Sequence, residues 1–303
     1  MITFHHAEYA DAFEQEGGLV GWEQRYAQLA PGRYCGEIDA LSMAGITIYR
    51  ERIGLPVLQE VVAPKDQVVF GATLNPSADW RYNADSMGGG KMVVTGGGRE
   101  ALACGTGPSD LLLICVERDL IETQLGRRVG HDAATVPACQ QVADTTQWMV
   151  SLLAAGARGS TGALEEAVLS GLMLDRLAGL AGAAIGTEPA VPQSAFSVYR
   201  RIRDFVDDQA GEPLSMRQIA DAVGIAPCDL RSAFSQAVGI SPGEWIRKRR
   251  LNGVRRELAE GDRRTVSEIA MNWGFWHLGR FSQYYAAQFG EAPSETAQRC
   301  RMV

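Results

Sequence analysis

Little in this 303-residue chain offers metal or covalent chemistry. It has four histidines, and its six cysteines, Cys35, Cys104, Cys115, Cys139, Cys228 and Cys300, form no C-x-x-C pair. Zinc-ligand spacing is therefore absent, and a disulfide framework is not expected at this length. His131 has no histidine or cysteine at ligand spacing, and His5-His6 lies close to a terminus expected to be mobile, so no metal site is expected. The first residues, MITFHHAEYADAFEQEGG, carry acids and histidines where an export signal needs a basic patch and an apolar run. No apolar run approaches the roughly 20 residues of a bilayer span, so the expectation is a cytoplasmic protein without a membrane partner. Nor do the glycine clusters make a phosphate loop. Gly88-Gly89-Gly90-Lys91 is followed by Met92 rather than Ser or Thr, and Asp85 stands where the earlier glycine is needed. Both this cluster and Gly96–Gly98 read as hairpin turns. Basic charge is scarce too: 29 Lys and Arg against 36 Asp and Glu give a net charge of −7, which on average repels nucleic acid.

The charge is unevenly spread. Residues 1–193 hold 13 basic against 23 acidic residues, and residues 194–303 hold 16 against 13. An acidic front and a basic back suggest two domains, with nucleic acid touching only the second. Residues 183–196, with Gly, two Pro and few large apolar side chains, read as a linker region. The boundaries adopted are 1–185, a linker at 186–196, and 197–303. From Gly32 to Glu117 short β-rich runs (Ile46–Tyr49, Val57–Val62, Val68–Phe70, Met92–Thr95, Leu111–Val116) alternate with Gly/Pro-rich turns, the pattern of a sandwich or small barrel. From Thr145 to Ala183 apolar residues recur at helical spacing, broken at Gly156–Gly162, which predicts a helical pair. Ile202, Phe205 and Val206 predict a further helix after a Ser197 cap.

The C-terminal region repeats itself. Ile219-Ala220-x-x-x-Gly224 recurs as Ile269-Ala270-x-x-x-Gly274, an offset of 50. At an offset of 51, Leu230 matches Phe281, Phe234 matches Tyr285, Val238 matches Phe289, Gly239 matches Gly290, and Pro242 matches Pro293. Each copy has helix-turn-helix logic. A short helix (Ser215–Val223, then Thr265–Trp273) ends at a glycine able to take the left-handed turn, and a second helix packs on it through one face. That leaves the other face free to enter a major groove. Ser215 with Gln218, and Thr265 with Glu268, have capping-box spacing. Between the copies, Pro242–Leu258 reads as one helix. Its apolar positions are Trp245, Leu251, Val254 and Leu258, and Arg247, Lys248, Arg249, Arg250, Arg255 and Arg256 form a basic run read as facing phosphate.

These residues resemble the AraC/XylS family of bacterial transcription regulators. The likeness is carried by Ile219–Gly224, Leu230 with Phe234, Arg250-Leu251, Ile269-Ala270, Gly274-Phe275 and the ending Phe289–Glu295. It covers about 105 residues. Trp22, Tyr26, Pro31-Gly32, Tyr49-Arg50-Glu51 and Gly274–Gly279 resemble more narrowly the subgroup that includes the ethanolamine-utilisation operon regulator. The resemblance implies an α+β protein: a β-rich cupin-like barrel with a helical pair, then an all-α domain of two helix-turn-helix units joined by a linker helix. It implies base reading by Cys228, Asp229, Arg231, Ser232 and Gln236 on the first recognition helix, and by His277, Gly279, Arg280 and Gln283 on the second. Gln283 departs from the arginine many members carry, so its base preference is not transferable. Phosphate contact is assigned to Ser215, Arg247, Arg249, Arg250, Arg255 and Thr265. The expected partners are double-stranded promoter DNA, RNA polymerase, a small-molecule effector and a second copy of the chain; no cofactor and no catalysis are expected. The histidine pattern of metal-binding cupins is absent. Trp22, Arg50, Arg52 and Arg81 are the candidate effector residues, with ordinary packing or surface charge as their competing explanation. The alternative function is an enzyme or ligand-transfer domain fused to the same DNA-binding tail. In the DNA-repair methyltransferases built that way, a cysteine in a recognisable context reacts, and none of Cys35, Cys104, Cys115 or Cys139 has one.

Overall fold

The computed structural model describes residues 1–75, 77, 79–160, 166–185, 194–209, 211–261 and 263–301. The chain forms two compact units: Met1–Tyr26 with Cys35–Pro192, and Ala27–Tyr34 with Gln193–Val303.

The first unit is built on strand alternation. Strands β1 (Thr3–Tyr9), β2 (Glu23–Gln28), β3 (Gly36–Met43), β4 (Ile46–Ile53), β5 (Val57–Val62), β6 (Gln67–Thr73), β7 (Trp80–Tyr82), β8 (Asp85–Ser86), β9 (Met92–Gly96), β10 (Glu100–Gly105), β11 (Ser109–Glu117) and β12 (Ala134–Val136) make two sheets. One runs β1-β3-β4-β11-β6-β9-β12 and the other β2-β5-β10-β7-β8. Side chains on a strand alternate between faces. On the larger sheet Ile46, Ile48, Val68, Phe70, Leu112, Ile114 and Val116 therefore share one core with the helices α2 (Arg118–Leu125), α3 (Gln140–Ala157) and α4 (Glu166–Ala184). The intervening residues Tyr49, Val69, Leu113 and Cys115 belong to a separate cluster, and Val93 and Leu111 pack with Trp80 and Ala103 of the smaller sheet.

Several expectations need correction. The cupin-like closed barrel is replaced, among the described residues, by two open sheets with unpaired edges at β1 and β12, β2 and β8. The amino terminus is not loose: β1 pairs along its whole length with β3, His6 opposite Asp39. Among the described residues one helix, α4, is long and apolar enough by length and composition to cross a membrane. Its Leu169, Met173, Leu177 and Leu180 are buried in the helix–sheet core. The expected linker lies outside the described residues except for its last three, which open helix α5 (Ser194–Asp208), so Ser197 is inside that helix rather than its cap.

The second unit is helical: α5 is followed by α6 (Met216–Val223), α7 (Pro227–Val238), α8 (Pro242–Ala259), α9 (Val266–Asn272), α10 (Leu278–Phe289) and α11 (Pro293–Arg301). Both capping boxes form, Ser215 with Gln218 and Thr265 with Glu268. Both turns are made by left-handed glycines, Gly224 at φ +66° and Gly274 at φ +77°. The two copies bury the same pattern. Ile219, Ala220, Leu230 and Phe234 are covered in the first, and Ile269, Ala270, Phe281 and Tyr285 in the second.

A segment from the front of the sequence is clipped into this unit. The backbone N–H of Gln28 donates to Asn252 Oδ1 at 2.9 Å, and Asn252 Nδ2 donates to the Gln28 carbonyl at 3.1 Å. Gln288 Nε2 donates to the carbonyls of Gln28 and Ala30, and its own carbonyl accepts from the Gly32 N–H. Lys248 Nζ donates to the Leu29 carbonyl. Residues 27–34 thus behave as a strap across α8 and the end of α10. An Asn252→Ala variant is expected to lose about 1–3 kcal/mol of stability, since it strands the Gln28 N–H, while the Gln28 carbonyl keeps its bond from Gln288; chemical denaturation checks this.

Candidate nucleic-acid interface and ligand cavity

The first recognition helix, α7, starts with Pro227 at a position where no N–H is needed, and carries Asp229 in its first turn. Leu230, Phe234, Ala237 and Val238 turn inward. The opposite face leaves Cys228, Asp229, Arg231, Ser232 and Gln236 exposed. On α10, Phe281, Tyr285, Gln288 and Phe289 are buried, and Gly279, Arg280 and Gln283 are exposed, with the preceding His277. Every expected base-reading residue is therefore exposed, His277 at the cap of α10 and the others on helix faces turned to solvent. Trp276, 62% exposed, adjoins His277 and was not among the expected readers. An exposed indole beside a recognition helix is the signal that reading missed. Gly279 has open space where a Cβ would stand, so its lack of a side chain leaves the start of α10 uncrowded.

The expected phosphate contacts divide. Ser215 and Thr265 are exposed and cap α6 and α9, which keeps both short helix N-termini at the surface. Arg247 is exposed, its guanidinium 5.3 Å from the ring centre of Tyr284 on α10. Arg249 is a correction. It is 6% exposed, donates twice at 2.6 Å to the Asp207 carboxylate and stacks on Trp245. Arg255 is a second correction. It is 7% exposed, pairs with Glu291 at 2.9 Å and stacks on Phe289 at 4.6 Å. Arg250 is half-buried, donates to the Glu212 carbonyl, and burial pulls its pKa down. A continuous α8 must turn part of its basic run inward, and these arginines hold the unit together from inside. Arg217, Arg231, Arg263 and Arg280 remain exposed elsewhere on the unit.

In the first unit a partly open cavity lies between the two sheets, with a solvent-reachable space of about 40 Å³. Trp22, Trp80 and Tyr82 line it with aliphatic side chains, and so do Glu51, Gln24 and Gln59. Of the expected effector residues only Trp22 is among them. Arg50 forms a two-bonded pair with Asp110 at 2.8–2.9 Å, Arg52 bridges Glu37 and Asp39, and Arg81 pairs with Asp79. Strand parity sets this division: Arg50 and Arg52 share the face of Ile46 and Ile48, whereas Glu51 between them faces the cavity.

A helix-turn-helix domain model matches residues 219–299. Over 106 residues the chain is 33% identical to XylDLEGF operon transcriptional activator 2 of Pseudomonas putida, covering 34% of this chain and 68% of that relative. The chain belongs to the AraC/XylS family of transcription regulators. A longer alignment joins it to the "Probable thc operon regulatory protein" of Rhodococcus erythropolis: 28% identity over 207 residues, 62% of this chain and 61% of the relative. A solved probable AraC family transcriptional regulator from Rhodopseudomonas palustris is 30% identical. It covers 35% of this chain and 98% of its own, with a TM-score of 0.32. The chain spans about a third of the length of the other XylDLEGF operon activators it matches. Family membership is thus anchored in the C-terminal unit, where the duplicated motif also lies.

Proposed function

We propose that the protein is an activator-type transcription regulator that binds promoter DNA by placing α7 and α10 in successive major grooves and responds to a small metabolite. The observation that carries this reading is the repeated geometry. Two helix-turn-helix units with matching buried faces present two solvent-facing recognition faces on either side of one continuous helix, α8. The second face is the stronger reader. Arg280 suits bidentate contact with guanine and Gln283 with adenine, whereas Asp229 on the first face repels phosphate. Arg247, Ser215 and Thr265 supply sequence-independent contact.

Arg280→Ala is expected to relax preference at one base step by about 1–3 kcal/mol while sparing random-sequence binding. Binding-site selection from a random duplex library, followed by affinity measurement on matched and mismatched duplexes, tests both claims. Selected sites should hold two half-sites about 10 base pairs apart. Equal losses on selected and random DNA would remove the base-reading role, and a single half-site would remove the paired mode.

Ligand response is supported by chain connectivity. Tyr26, whose hydroxyl donates to Glu51 at the cavity, immediately precedes the strap at 27–34. A ligand that favours one placement of β2 would bias the strap, a population shift in which binding energy selects between arrangements. Self-association is read from α4, which leaves Val168 and Leu172 exposed. Contact with RNA polymerase, and placement beside the ethanolamine-utilisation regulator, belong to the same reading. A non-enzymatic role for the first unit is supported by its buried cysteines: burial pushes the Cys104 and Cys115 thiols up to about 12, far from a reactive thiolate.

A further inference from the structure

Glu51 is the most unusual group in the first unit. It is 1% exposed and lines the cavity. Oε1 accepts from Gln15 Nε2 at 2.8 Å and from the Tyr26 hydroxyl at 2.7 Å, and Oε2 accepts from Gln59 Nε2 at 3.0 Å. All three donors are neutral. They fix the carboxylate in place and leave its charge uncompensated, with acceptor capacity remaining on Oε2. A buried carboxylate without a cation is strongly disfavoured, and desolvation accordingly raises its pKa, against the lowering effect of the three hydrogen bonds. Among the described residues, the one basic residue lining the same cavity, Arg99, pairs with Asp132 instead.

The rest of the lining suits what is missing. Trp22, Trp80 and Tyr82 bring three aromatic rings to one small space, and rings attract cations through their faces, more strongly when desolvated. Trp80 is 3% exposed and its indole N–H has no hydrogen-bond partner among the described residues, nor has Gln24 Oε1 on the same wall. Buried donors and acceptors left open in a cavity fit a ligand that supplies the complementary atoms.

We propose that the cavity between the two sheets binds a small organic cation, a primary or quaternary ammonium with an apolar body, its charge beside Glu51 and among the aromatic rings. The proposal deepens the ligand-responsive reading and rests on it. Discrimination is expected to come from charge rather than size, because a neutral or anionic molecule of the same shape leaves Glu51 uncompensated or repels it.

The test uses the full-length protein and four probes: benzylamine and choline as cations, and benzyl alcohol and benzoate as neutral and anionic counterparts of benzylamine. Thermal-shift and calorimetric titrations should show at least one cation binding, and benzylamine, if it is that cation, at least tenfold tighter than benzyl alcohol, with benzoate weakest. Glu51→Gln should abolish that difference. Trp80→Leu, which keeps Glu51 but removes a ring, should weaken the cation at least tenfold. Tighter binding of benzoate or benzyl alcohol than of the better-bound cation would overturn the proposal, and so would an unchanged preference in Glu51→Gln. Binding of none of the four would overturn it as well. Promoter selection by the C-terminal unit would then still stand, because that assay does not depend on the cavity. The wild-type probe series alone decides the matter should a variant fail to fold.

Discussion

Replacing Arg255 with alanine is expected to cost the C-terminal unit about 3–5 kcal/mol, the range for breaking a buried ion pair by removing one partner. Arg255 and Glu291 are both largely covered, Arg255 stacks on Phe289, and Tyr285, Thr296 and Arg299 complete the cluster. The Glu291 carboxyl shows how well the pair is compensated. Burial alone would raise its pKa, but hydrogen bonds from Arg299 and Thr296 and the nearby arginine charges bring it down to about 2. A carboxylate depressed in the folded state contributes stability that is complete above its ordinary value near 4.5 and is lost as pH falls towards 2. Urea denaturation at pH 7 and at pH 3 should therefore show two things. Arg255→Ala is much less stable at pH 7, and its loss between the two pH values is smaller than that of wild type. Its residual DNA affinity should follow the folded fraction, with an unchanged slope of log affinity against log salt, because no phosphate contact has been removed. A stable variant with a shallower salt slope would return Arg255 to the DNA surface.

Trp245→Ala is expected to be comparably damaging, about 3–5 kcal/mol, by leaving a large cavity at the centre of the first helix-turn-helix unit. Its ring packs on Tyr199 at 5.7 Å and Phe234 at 5.0 Å between centroids, and Tyr199 meets Phe234 at 5.6 Å. All three side chains are fully buried and come from α5, α7 and α8. The second unit has its own cluster of Leu251, Val254, Phe281, Tyr285 and Phe289. Native-state hydrogen exchange should accordingly show lost amide protection in α5, α6 and α7, with α9 and α10 retaining more of theirs. Uniform loss across both units would show that α8 transmits unfolding as one cooperative block.

Much of the C-terminal unit was legible because its signals are local. Helix phase follows from apolar spacing, caps from Ser215 and Thr265, and left-handed turns from Gly224 and Gly274, each set by residues within one or two turns. Recognition faces could then be read as the side of each helix opposite its apolar stripe. The strand segments of the first unit were legible for the same reason.

Amino-acid order could not say which way a charged side chain on a half-apolar helix faces once several helices surround it. Arg247 and Arg249 stand two apart on α8, yet one reaches solvent and the other is enclosed against Trp245 and Asp207. Nor could it place Glu51 in the cavity and its neighbours Arg50 and Arg52 outside it, since that depends on which sheet face meets the second sheet. The strap at 27–34 is the most non-local case, with Gln28 and Gln288 joined across 260 positions. The sequence alone determined a duplicated, glycine-turned helix pair with two outward faces. Tertiary packing decided which charges are buried to hold that pair and which remain for DNA, because burial is a property of surroundings that only the folded chain assembles.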